Sequence, residues 1–433
     1  MDKMIEVREF QPITCNKDYE EDEYYKYLKD CTFKQLESFI HTFQGTDEAA
    51  EAIDFMKVSS RRGVGEVIQA KNYVGLIQMK NGFQIQILPK LSFDTEDTSN
   101  KETKKIFLRM LRSMKDFPSK VFNDANMKSD RMNLYEIFIN MYIQEVRELV
   151  KKGMRSAYIP VDDNLHYYKG KLRVNEHIKS NLIHKERFYV AYDEFQVNRP
   201  ENKLIKATLL KLQNVSSSAE NIKEIRQLLS HFEKVEPSKN NIKDLSKVVI
   251  NRNTKNYETL MQWSKVFLTN QSFTTFSGDS NARALLFPME KVFEAYVAKN
   301  MKKIFCEIGW EVTTQDKGYY LFDTPKQFAL RPDIVMRYDK RTIILDTKWK
   351  LLTNNPNKNY GISQADMYQM YAYSKKYKTP EIWLLYPKNE EMKGLDDISF
   401  ESDDSVKVNI FFVDVANIEV CLVRLKDLLM ERI

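Results

Sequence analysis

Apolar side chains recur along this chain with two different spacings, and the switches between them mark out its elements. Between Asn133 and Lys152, Leu134, Ile137, Phe138, Met141, Val146 and Leu149 keep a helical spacing, which predicts an amphipathic helix that Gly153 is suited to stop. Similar spacing predicts helices over residues 33–43, 101–114, 204–212, 222–232 and 257–268. Alternation predicts strands over 66–70, 74–79 and 83–88, the last two joined through Lys80-Asn81-Gly82, where Asn-Gly suits a tight hairpin. Gln78, Gln84 and Gln86 on that hairpin point to one solvated face.

The second half of the chain repeats the contrast. Residues 287–298 read as a helix with Phe293, Tyr296 and Val297 on its apolar stripe. Pro332 opens a strand over 333–337, residues 338–341 form a polar turn, and the β-branched run 342–345 reads as a buried return strand. A helix follows from Ser363 to Ser374, with Tyr368 and Tyr371 read as core packing. Then come strands at 382–386 and 408–413, separated by a polar surface excursion, and a closing amphipathic helix over 420–430. Segment 271–281, rich in Ser, Thr and Gly, is the best linker candidate. The division is therefore an N-terminal α+β region over 1–125, a mostly helical middle over 126–275, and a C-terminal domain over 282–433 with a mixed sheet flanked by helices. The fold class is mixed α/β.

Composition narrows the functional classes. A chain of 433 residues is long for one ordinary core, and 42% hydrophobic residues suit a globular protein. No stretch approaches the roughly 20 apolar residues of a membrane span, and the first residues lack the apolar core of a secretion signal, so a cytoplasmic protein is expected. Four scattered cysteines and five dispersed histidines indicate neither a disulfide framework nor a zinc site. There is no G-x-x-x-x-G-K-[ST] loop, so any NTP-driven motor must be another polypeptide and this chain is expected to bind no nucleotide itself. The net charge of +6 is modest, which puts any nucleic-acid affinity in local patches. One such patch is residues 166–187, expected as strands or irregular hairpins. There Lys169, Lys171, Arg173, Lys179, Lys185 and Arg187 face only Glu176 and Glu186. DNA phosphate contacts, a solvated basic face and a partner surface all fit it.

The strongest chemical signal is the hairpin at 331–350. Asp333 and Asp346 lie near the ends of its two strands, and Lys348 follows two positions after the second acid. Strand periodicity puts Asp346 and Lys348 on one face and points Thr347 away, while Asp333 joins them from the neighbouring strand. Two carboxylates about 4 Å apart repel by roughly 4 kcal/mol at an intermediate dielectric, a cost that a divalent cation turns into binding. Hard oxygen ligands with room for water suit Mg²⁺, and an ammonium beside the metal can orient a nucleophile or neutralise charge on a phosphate. On the next helix Gln369 and Tyr373 share a face, with Asp366 one turn earlier. Glu290 and Glu294 are four apart on the 287–298 helix, and Glu294 is the choice for a third carboxylate, against a surface salt-bridging role.

These residues carry a resemblance. Arg331-Pro-Asp333, Leu345-Asp-Thr-Lys348 and Gln369-x-x-x-Tyr373 resemble the PD-(D/E)xK nuclease superfamily, in the branch that includes RecB-like nucleases. Asn72-Tyr-Val-Gly75, Ile87-Leu-Pro-Lys90, Tyr192-Asp-Glu-Phe195, Asn202-Lys-Leu-Ile-Lys206 and the stretch from Phe287 to Glu294 are similar to McrC, the nuclease subunit of McrBC modified-cytosine restriction systems. The resemblance implies a partner, McrB, a hexameric AAA+ GTPase that recognises DNA and translocates on it. It implies that the N-terminal domain docks on the hexamer and stimulates GTP hydrolysis, and that Asp333, Asp346 and Lys348 are catalytic. With Glu294, Gln369 and Tyr373 as the supporting shell, a Mg²⁺-dependent DNA endonuclease subunit is expected. A stand-alone RecB-like repair nuclease and an adaptor that chiefly activates a partner NTPase are the competing readings.

Overall fold

The alternating stretches near residues 74–79 and 83–88 do form paired strands, but they lie inside a sheet. The computed structural model describes residues 4–44, 55–79, 81–91, 96–115, 117, 133–269, 282–395 and 398–430, so the expected linker at 271–281 lies outside the described residues. The fold is mixed α/β and divides into two compact units, one from Met1–Phe117 with Asp279–Ile433, the other from Pro118–Gly278.

In the first unit, a four-stranded sheet has the order Met4–Arg8, Gln84–Leu88, Tyr73–Met79, Ala282–Pro288, with the first pair parallel and the others antiparallel. Parts of the regions 1–125 and 282–433 therefore share one sheet. Gly75 shows how closely they meet: a Cβ there would come 2.0 Å from the Leu285 carbonyl oxygen, at a φ of +144°. Only glycine admits that approach. Phe287 and Pro288, expected at the start of a helix, instead end the strand opposite Val74 and Tyr73, and the helix runs Met289–Cys306. Their place is set by pairing with a strand over two hundred residues earlier, which local periodicity does not register.

Gln86 also departs from expectation. It is fully buried because Glu6 sits opposite it and accepts from Gln86 Nε2 at 2.6 Å and from Lys104 Nζ of the helix Glu96–Leu111 at 2.5 Å. The face expected to be solvated is covered at that position. A second four-stranded sheet orders Lys26–Tyr27, Pro12–Thr14, Gly65–Ala70 and Met56–Arg61.

The sheet that contains the 331–350 hairpin has six strands, in the order Glu311–Thr314, Ile334–Tyr338, Arg341–Thr347, Glu381–Pro387, Lys407–Val413, Ser399–Glu401. Its first three strands are antiparallel, and Arg341–Thr347, Glu381–Pro387 and Lys407–Val413 are mutually parallel. Strands buried on both faces read as apolar runs, which is why Ile343-Ile-Leu345 and Ile382-Trp-Leu-Leu385 stand out in the sequence. On one face Val335, Ile344, Leu384 and Ile410 pack with Met370, Tyr373 and Tyr377 of the helix Gln364–Tyr377. Tyr368 and Tyr371 of that helix are exposed, at 66% and 43%, contrary to the core role expected of them. The helix buries the stripe Met370, Tyr373, Ser374, Tyr377, and those two tyrosines fall outside it.

The second unit is built on helices Leu134–Lys152, Pro200–Val215, Ala219–His231 and Glu258–Thr269, with a short helix Asn241–Ser246. Asn133 caps the first through the Glu136 N–H and Gly153 ends it. A three-stranded antiparallel sheet accompanies them, in the order Ala157–Leu165, Phe188–Gln196, Lys171–Leu172. Within the basic segment Val174–Asn181 is a helix, where strands or irregular hairpins were expected. Its faces are set by contacts with the sheet: His177 stacks on Phe188, and Asn181 exchanges hydrogen bonds of 2.8 Å with Asn164. Among the described residues, no helix is long and apolar enough to cross a membrane.

Candidate active site

Strand register brings the two acids of the hairpin together. Ile334 pairs with Leu345, so continuing the antiparallel register by one residue sets Asp333 opposite Asp346. Thr347 was expected to point away from the site, yet its N–H and hydroxyl both donate to Asp333 Oδ2, at 2.8 and 2.6 Å. The strand ends at Thr347, and its side chain turns onto the carboxylate from the other strand. Asp346 is 2% exposed. Its Oδ2 is ion-paired with Lys348 Nζ at 2.8 Å.

The electrostatics follow from that crowding. Burial, then the charge of Asp333, pushes the Asp346 carboxyl from its usual range up to about 7, against the pull of Lys348. Asp333 is also raised by burial, opposed by its bonds from Thr347. Burial depresses Lys348, but Asp346, Asp366 and Asp333 outweigh it, so the ammonium is held in its charged form. Lys348 Nζ donates to Gln369 Oε1 at 3.1 Å and lies 3.6 Å from Asp366 Oδ1, and Gln369 Nε2 donates to the Tyr373 hydroxyl at 2.7 Å. The expected Gln369–Tyr373 face therefore forms, and it holds the lysine.

Glu294 joins the group through a residue that the sequence did not single out. Gln315 Nε2 donates to Glu294 Oε1 at 2.7 Å and to Asp333 Oδ1 at 3.2 Å. Burial, then Asp333, raises Glu294 to about 7. Gln315 has a φ of +52°, and its backbone N–H bonds the Asp333 carbonyl, which anchors this connection. Glu290, the alternative acid, also lines the cleft but accepts from Asn72 Nδ2 at 2.9 Å.

The cleft holds about 600 Å³. Its walls include Asn72 and Lys90 from the N-terminal region beside Asp333, Asp346 and Lys348. Among the described residues, no three acidic, histidine or cysteine side chains form a ready-made metal cage. Mg²⁺ does not need one, because it keeps several waters and binds through one or two carboxylates. The buried carboxylate of Asp346, set opposite that of Asp333 and raised by its charge, fits that requirement.

The six basic residues proposed for DNA lie in the second unit. Lys171, Arg173, Lys179 and Lys185 are exposed, while Lys169 and Arg187 are partly buried. Arg173 pairs with Asp162 at 3.2 Å, and Lys169 Nζ sits 3.7 Å from the centroid of the Tyr192 ring.

No curated protein matches the chain. Among solved structures, one similar chain comes from a refined half-complex of a tetradecameric assembly of Thermococcus gammatolerans McrB AAA+ hexamers with bound McrC. It is 18% identical, covers 96% of each chain, and superposes with a TM-score of 0.69, which establishes a shared fold. A chain from the cryo-EM structure of the Thermococcus gammatolerans McrBC complex is 18% identical over 70% of this chain and 87% of that one, with a TM-score of 0.47. Residues 68–387 match the family described as McrBC 5-methylcytosine restriction system component. That match spans well over half the sequence and takes in both walls of the cleft; the chain belongs to the McrBC family.

Proposed function

We propose that this chain is the McrC-type, Mg²⁺-dependent DNA endonuclease subunit of a GTP-dependent restriction system, with a PD-(D/E)xK nuclease domain in its C-terminal part. The observation that carries the reading is Asp346: a carboxylate only 2% exposed, set opposite Asp333 and 2.8 Å from a charged Lys348. Asp333 and Asp346 would hold the cation, with Glu294 tied to them through Gln315. When bound, the metal would supply stabilisation of charge on the phosphate oxygens. Lys348, fixed by Asp346, Asp366 and Gln369, would orient the attacking water and neutralise charge as the phosphodiester bond breaks. By donating two hydrogen bonds to one oxygen of Asp333, Thr347 favours its ionised form against the larger effect of burial.

The partner in this reading is a McrB-like AAA+ GTPase hexamer, whose hydrolysis the chain would stimulate. Besides the N-terminal docking that the resemblance implies, the second unit offers a partner surface: Tyr158, Tyr168, Leu182, Ile183 and Phe195 are between 60% and 85% exposed, interleaved with the basic residues. Apolar chains left in water beside cations favour a docking surface over a plain solvated face. DNA phosphates remain a second use of the same cations.

Asp346→Ala decides the nuclease role. Cleavage of DNA by the chain with its GTPase partner should fall by at least about a thousandfold, the size of loss expected when a central charge-stabilising group is removed. Folding and stimulation of the partner's GTPase should persist. Wild-type cleavage by the variant would remove the assignment, and efficient Mg²⁺-dependent cutting by the isolated wild-type chain would favour the stand-alone reading.

A further inference from the structure

The N-terminal wall of the cleft contains a lysine that the reaction above does not use. Lys90 Nζ is partly buried, yet its two protein hydrogen bonds go to neutral oxygens, Asn72 Oδ1 at 3.1 Å and the Trp349 carbonyl at 3.0 Å. The nearby carboxylates are engaged by other donors. Glu9, 4% exposed, accepts from Trp349 Nε1 at 3.0 and 3.1 Å and from the Lys90 backbone N–H at 2.9 Å. Glu290 accepts from the amide of Asn72, which thus stands between the cation and the acid. Burying an ammonium without a directly bonded counter-charge is costly, and burial does lower the Lys90 pKa against the pull of Glu9 and Glu290.

Two further features hold the cation at the cleft. Phe10 places its ring centroid 4.7 Å from Lys90 Nζ and has a φ of +64°, a conformation that bulky residues rarely adopt. Such backbone strain collects at functional sites. Trp349 directly follows Lys348, so the carbonyl that accepts from Lys90 belongs to the residue next to the lysine of the carboxylate centre. An ammonium has three N–H groups. Two are used here, and Lys90 itself lines the cleft.

We propose that Lys90 binds a phosphate of the DNA strand, next to the one placed at Asp333 and Asp346, and so sets the strand's register in the cleft. This rests on the nuclease reading and adds a substrate-contacting residue from the N-terminal region. The anion supplies the directly bonded counter-charge that Glu9 and Glu290, held by other donors, do not.

The test is duplex binding by the full chain over a series of salt concentrations, with Ca²⁺ in place of Mg²⁺, for wild type, Lys90→Met and Lys90→Arg. Losing one phosphate contact lowers the slope of log affinity against log salt by about one, and affinity in Lys90→Met should fall about tenfold. Lys90→Arg should keep the wild-type slope. A merely structural lysine would change the thermal midpoint but leave the slope alone. If Lys90→Met melts early, Lys90→Gln, which retains an N–H for the Trp349 carbonyl, takes its place. An unchanged slope in the uncharged variant, an equal loss in Lys90→Arg, or no measurable binding by wild type overturns the proposal. Cleavage by wild type and Asp346→Ala is read separately. Equal rates there overturn the nuclease reading, whereas a dead Asp346→Ala with an unchanged Lys90→Met slope overturns only the role of Lys90.

Discussion

Two buried carboxylates, one in each unit, have opposite characters. Glu136 in the second unit is 3% exposed and accepts from Ser216 Oγ at 2.7 Å, Ser217 N at 2.7 Å, Ser217 Oγ at 3.0 Å and Asn221 Nδ2 at 2.8 Å. Asp346 in the first unit is 2% exposed, has Lys348 as its charged partner at 2.8 Å, and faces a second carboxyl. Burial is the same, but satisfaction is not. Glu136 ties its helix to the Ser216–Asn221 turn, so its charge is spent on the fold. Asp346 meets one ammonium and a second carboxyl, a crowding of negative charge that an arriving cation would relieve.

The largest test of this contrast is Glu136→Ala. It leaves several donors buried without an acceptor and should cost about 3 kcal/mol in urea unfolding. Asp346→Asn should do the reverse without metal, adding on the order of 2 kcal/mol at pH 8. The sign follows from linkage: a carboxyl raised from 3.8 to about 7 binds its proton more tightly in the folded state. Its contribution to stability is whole below about pH 4 and is lost as pH climbs through 7, so the metal-free wild type should weaken across that window and Asp346→Asn should weaken less. Thermal melts at pH 4.5 and 8 check it, and equal slopes for the two proteins would erase the distinction drawn here. The smallest effect is expected from Gln315→Ala, about tenfold in cleavage or roughly 1.4 kcal/mol, because it frees Glu294 from Asp333 without removing a charge. Steady-state rates against Mg²⁺ concentration measure it.

The hairpin was legible because its signals are local. Pro332, a polar turn and an apolar run fix the two strands, and their register alone sets Asp333 opposite Asp346. The Gln369–Tyr373 pair was legible for a similar reason, since helical spacing brings it onto one face. Glu9, Lys90 and Gln315 were not legible as site residues. The contact of Lys90 with Trp349 spans 259 positions and that of Glu9 with the same residue spans 340, so no spacing rule reaches them. Asn72 and Lys90 stood out only through the family resemblance, without a role. Gln315 is an exposed polar residue just past the end of a strand, where its type carries no distinguishing signal. The helix Val174–Asn181 was missed because two turns are too few to establish a period, and its position depends on the sheet beside it.

The pairing of Ala282–Pro288 with Tyr73–Met79 has a consequence for how the molecule is made. A ribosome delivers Lys90 early and Asp346 long after, with the whole of the second unit translated in between. The early sheet waits for its last strand until the growing polypeptide has passed residue 288. Any fragment released before that point carries Lys90 but lacks both acids of the hairpin.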